Sequence, residues 1–80
     1  MKIKDFINGK VTYDNLGQYF WINEPNGDNQ MLAELRGWGH IQNMFNDKKD
    51  GIDIIKAKKY QNLVGQFIVE AINEKLEREQ

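Results

Sequence analysis

The segment from Asp50 to Gln80 contains no proline, and beyond its first turn its one glycine is Gly65. It carries two apolar stripes at helical spacing, which predicts one long amphipathic helix. The first stripe is Ala57, Tyr60, Val64, Phe67, Ile68 and Ala71, spaced by three and four as a core-facing surface requires. The second is Ile55, Asn62, Val69 and Leu76, spaced by seven, with Gly65 and Ile72 beside it. At 100° per residue the two stripes lie on roughly opposite flanks. A small domain needs one apolar stripe, so the first is expected to cover a sheet and the second to meet something else.

Asp50 is the expected N-cap, with Asp53 three residues on in an approximate capping box. The helix then runs to about Glu77. Upstream, Tyr19-Phe20-Trp21-Ile22-Asn23 reads as a strand, because four large residues of high β-propensity follow one another. Val11 to Asp14 and Gln30 to Arg36 read as its neighbours. Asn15-Leu16-Gly17 and Glu24-Pro25-Asn26-Gly27-Asp28-Asn29 supply the turns. Lys2 to Ile7 reads as a short helix stopped at Asn8-Gly9; a strand would instead put Ile3, Asp5 and Ile7 on one face. His40 to Phe45 forms a second short helix, and Asn46-Asp47-Lys48-Lys49 a connecting loop. The expected fold is therefore α+β. A three-stranded antiparallel β-meander packs against a long C-terminal α-helix, with short helices at the N-terminus and after the third strand. Residues 1–80 are read as a single domain.

Matching apolar faces puts Phe20, Ile22, Met31, Ala33 and Leu35 against the helix. Tyr19, Trp21, Leu32, Glu34 and Arg36 then line the outer face, with Tyr13 as a candidate neighbour. A one-residue slip would exchange the two sets. On this assignment Phe20 and Phe67 are both core residues, and truncating either should unfold the domain.

A chain of 80 residues without cysteine has no disulfide to supplement a small core. The single histidine, His40, and the missing thiols leave no pattern of metal ligands, so neither metal nor cofactor is expected. There is no serine, and Thr12 is the lone threonine, which removes Ser- or Cys-based triads. Glu24 with Asp28 is a weak pairing for carboxylate chemistry, and their loop lacks the EF-hand spacing. Gly37-Trp38-Gly39-His40 matches no phosphate loop and reads as a turn with Trp38 plugging one end of the core. An enzyme is not expected, and no small-molecule substrate is inferred. No apolar run approaches the ~18 residues of a membrane span, and the first seven residues lack a signal-peptide core, so a cytoplasmic location is expected. Lysine outnumbers arginine nine to two, a composition associated with AT-rich bacterial or phage genes.

Two functional readings follow. The leading one is a small non-enzymatic protein-interaction module. It would self-associate as a homodimer, or dock on a larger protein, through Ile55, Asn62, Gly65, Val69, Ile72 and Leu76. Gly65 supports it: a mid-helix glycine costs ~1 kcal/mol relative to alanine, which makes sense where another group approaches closely. The outer sheet face, with Tyr19, Trp21 and Arg36, is a candidate recognition surface. The alternative is a nucleic-acid-binding accessory protein. It would use Lys48, Lys49, Lys56, Lys58 and Lys59 for phosphates and the Tyr19/Trp21/Arg36 face for stacking. The net charge of −1 weighs against it.

Overall fold

A computed structural model describes residues 2–36, 38–47 and 49–79, and of Trp38 only the backbone. The architecture is the expected α+β one. The elements in order are α1 (Ile3–Phe6), β1 (Lys10–Asp14), β2 (Tyr19–Asn23), β3 (Asn29–Glu34), α2 (Trp38–Met44), β4 (Asn46–Asp47), β5 (Gly51–Ile52) and α3 (Ile54–Arg78). Strands β1-β2-β3 form one antiparallel sheet in sequence order, and α3 crosses its inner face.

Local chemistry sets each turn. The Asp14 carboxylate accepts from the backbone N–H of Leu16 at 2.9 Å and of Gly17 at 3.3 Å, closing the first hairpin. In the second, Gly27 adopts φ +94°, which side chains disfavour, and the Asn26 side chain accepts from the Asp28 N–H at 3.0 Å.

The helix begins three residues later than expected. Gly51 takes φ +87°, in the left-handed region, and pairs with Asp47 where the two-residue strands β4 and β5 run antiparallel; a loop was expected at Asn46-Asp47. Asp53, not Asp50, is the N-cap: its carboxylate accepts from the Lys56 N–H at 3.0 Å.

The sheet follows the expected register up to a bulge. Phe20 pairs with Ala33 but Trp21 pairs with Met31, so Leu32 is an extra residue in β3. The bulge overturns two face assignments. Leu32 packs on the core, and Met31 lies outside beside Trp21, 58 % exposed. Tyr13 also turns inward: it pairs with Phe20, ring to ring at 5.1 Å, and leaves the outer face.

The larger correction concerns α3. Its buried residues are Ala57, Gln61, Gly65 and Val69, and Ile72 and Leu76 pack on the same core. The stripe expected outside is therefore the inner one, except for Ile55, which is 83 % exposed. Of the stripe expected inside, only Ala57 is buried; Phe67 is 72 % exposed. Shape decides this. The inward rings of Tyr13 and Phe20 need a small residue opposite, and Gly65 provides it. A Cβ at position 65 would overlap the Tyr13 ring, with Cζ only 2.6 Å away. Had Val64 and Phe67 faced the sheet, the same rings would have held the helix off it.

The resulting molecule is elongated, 52 × 23 × 16 Å along its principal axes. The radius of gyration is 15.4 Å, against about 12 Å for a compact domain of this length.

Candidate protein interface

With the inner stripe spent on the sheet, the opposite flank of α3 carries apolar side chains into solvent. Leu63 is 61 % exposed and Tyr60 39 %, one turn and two turns before Phe67. Val64 and Ile68 are half-buried between this stripe and the core, and Ala71 is exposed. Beside Tyr60, the ring of Phe45 sits at 5.7 Å, with the exposed side chains of Met44 and Ile52 on the elements to either side. At the far end, an apolar groove of about 450 Å³ runs between α1 and α3, lined by Ile3, Ile7, Ala71, Ile72 and Leu76 with Lys75 and Glu79 at its rim.

Rigid supports hold this surface. Asp53 fixes the start of α3. Ile41 of α2 is buried, and α2 packs on α3. Near the other end, the side chain of Asn73 pairs with the backbone of Val11. Its carbonyl accepts from the Val11 N–H at 3.0 Å and its amide donates to the Val11 C=O at 2.8 Å. One side-chain amide thus occupies the outward backbone groups of Val11 on edge strand β1, where another strand would otherwise add.

The residues expected to form an interface are divided. Gly65 and Val69 are buried under the chain's own sheet, and Ile72 and Leu76 are half-buried on the same core. Asn62 is half-buried, and its Oδ1 has no hydrogen-bond partner among the described residues. Ile55 alone is fully outside. The close approach that Gly65 implied is real, but the approaching group is Tyr13. The polar residue that sits deepest in the seam is Gln61, wholly buried, with neither amide atom hydrogen-bonded among the described residues.

On the outer sheet face Tyr19 and Trp21 are half-buried and meet edge to face at 6.0 Å. Arg36 is turned to Glu34, at 3.1 Å, so its charge is already paired on this face. The lysines do not form one stripe. Lys58 donates to the Asn15 carbonyl at 2.6 Å, tying the first hairpin to α3. Lys56 and Lys59, three residues apart, share one exposed flank of α3, but Lys49 lies in the β4–β5 hairpin away from that helix, and Lys48 and Gly37 fall outside the described residues. His40 is exposed on α2. Burial raises the Tyr13 phenol above its ordinary value of 10.0, and the Asp14 carboxylate adds to the effect.

Sequence reasoning missed Leu63, Met44 and Ile52 as members of an exposed apolar surface. The signal for Leu63 was present, since it stands three residues after Tyr60 and four before Phe67. Compared with known protein families, with curated proteins and with solved structures, the chain matches none.

Proposed function

We propose that this chain is a small non-enzymatic interaction module that works by burying the outer stripe of α3 against a protein surface, its own or that of a larger partner. One observation carries the reading: Tyr60, Leu63 and Phe67 stand in line on a rigid 25-residue helix and are exposed. Single exposed apolar residues are ordinary, but an aligned row on one face marks a contact surface. Among the described residues the buried hydrophobic side chains are Val11, Phe20, Ile22, Ile41, Ala57 and Val69, while eleven large hydrophobic ones are exposed. A core that small gains much from a partner that covers more apolar surface.

The test is Leu63→Glu combined with Phe67→Glu. Both side chains are outside the core, so circular dichroism should be unchanged. Mass by light scattering, or retention of an isolated partner, should fall to that of the free chain. An unchanged assembly state would remove the reading. Salt-dependent binding of single-stranded or duplex DNA that ignores these two changes would favour the nucleic-acid alternative.

A further inference from the structure

We propose that the partner is a second copy of this chain, and that its α3 lies antiparallel to the first. This rests on the reading of the outer stripe as a contact surface and adds its occupant and orientation.

Spacing supplies the first observation. Tyr60, Val64, Phe67 and Ala71 follow one another at four, three and four residues, the seam along which two helices interlock. An antiparallel copy related by a two-fold axis between Val64 and Phe67 puts Tyr60 against the partner's Ala71. It puts Val64 against the partner's Phe67. Each large side chain then meets a smaller one, twice over, as a self-complementary interface requires.

Charge supplies the second and chooses the direction. From Ile54 to Gly65 the helix carries Lys56, Lys58 and Lys59 and no acid. From Gln66 to Glu79 it carries Glu70, Glu74, Glu77 and Glu79 against Lys75 and Arg78. A basic start and an acidic end oppose the helix's own macrodipole. Parallel copies would set lysines beside lysines and glutamates beside glutamates. Antiparallel copies set Lys56, on the solvent side of the seam, at the level of the partner's Glu74 and Glu77, and oppose the two dipoles as well.

The chain has no cysteine, so introduced thiols report orientation without background. In the antiparallel pair position 56 is close to position 74 of the other copy, while the two positions 56 are roughly 30 Å apart along the seam. Lys56→Cys and Glu74→Cys chains should be joined by a short bismaleimide when mixed, and neither should be joined to itself. Light scattering over a concentration series should show a wild-type dimer in the micromolar range. Lys56→Glu should weaken it about tenfold, since the symmetry repeats the lost pair. A wild-type chain that stays monomeric at high micromolar concentration overturns the proposal. So does cross-linking of Lys56→Cys to itself, which would leave the contact surface in place and reverse its direction. A dimer that survives Leu63→Glu with Phe67→Glu overturns both this pairing and the outer stripe as its surface.

Discussion

The two stripes of α3 differ in material, and their fates are the reverse of what hydrophobicity alone would assign. The inner one contains Ala57, Gln61, Gly65 and Val69, all buried. The outer one contains Tyr60, Leu63 and Phe67, which expose 39 %, 61 % and 72 % of their surface. By hydrophobicity the outer stripe is the better candidate for a core. The sheet takes the other because close packing rewards fit as well as apolar area. A glycine admits the Tyr13 ring, and Asn73 satisfies the Val11 edge. The larger apolar side chains are left for a surface that forms afterwards.

The harshest test of this contrast places the same charge on each stripe. Val69→Asp should unfold the chain, because an unpaired carboxylate in a buried site costs several kcal/mol, a large part of a small domain's stability. Phe67→Asp should lower the unfolding free energy by less than ~1 kcal/mol, since its side chain already faces water. Both are read from urea melts at the same low protein concentration. If Phe67→Asp proves the more damaging, the two faces have been interchanged.

Gly65→Ala probes the fit itself. Alanine in place of glycine favours a helix by ~1 kcal/mol. Here the added methyl meets the Tyr13 ring, and overpacking of this kind costs ~1–3 kcal/mol. The expected result is a net loss. Combining it with Tyr13→Ala should recover the helix-propensity gain, so the two changes should be non-additive by about 1 kcal/mol or more. Additive behaviour would mean that Tyr13 and Gly65 do not touch.

Much of this was legible in the sequence, and what was not has a common cause. Four consecutive β-formers marked β2, Gly27 and Asn26 marked its turn, and the proline-free periodic run marked α3. These signals are local. The choice between stripes was not local, because it depends on which ring stands opposite position 65. Leu32 and Met31 exchanged faces because the bulge in β3 depends on pairing with β2, which no window of β3 alone reveals. The role of Asn73 needed the helix to lie against the β1 edge. For the candidate interface, periodicity found Tyr60, Val64, Phe67 and Ala71 as one surface but assigned it to the core, and Leu63 was read as belonging to neither stripe.

Asn73→Leu sharpens the contrast at the far end of the inner stripe. It removes two hydrogen bonds to Val11 and leaves a strand-edge donor and acceptor partly covered, which should cost ~1–3 kcal/mol. It also uncovers the edge of β1. The variant should therefore show faster amide exchange at Val11 and a greater tendency to aggregate than Leu63→Asn, a polar change on the outer stripe. Equal exchange at Val11 in the two variants would show that the Asn73 amide is not what protects that edge.

The smallest effect is read by titration, at the ring that covers Gly65. Burial, with help from Asp14, raises the Tyr13 phenol above 10.0 in the folded chain. Below that value both folded and unfolded chains hold the proton, and the group contributes no pH dependence. As pH rises past it, the unfolded chain releases the proton first. The folded state then binds more protons than the unfolded one, and stability falls with each further increase until the folded phenol ionises too. Lysines titrate in the same range, so the informative quantity is a difference between variants. Tyr13→Phe keeps the ring over Gly65 and removes the ionisation. It should match the wild type near neutral pH, or exceed it slightly, because the Tyr13 hydroxyl has no hydrogen-bond partner among the described residues. From about pH 9 to 11 its advantage should widen. Melting curves that stay parallel across that range would mean the phenol is solvated in the folded chain, and the inner stripe would then be less tightly closed at Gly65 than its geometry requires.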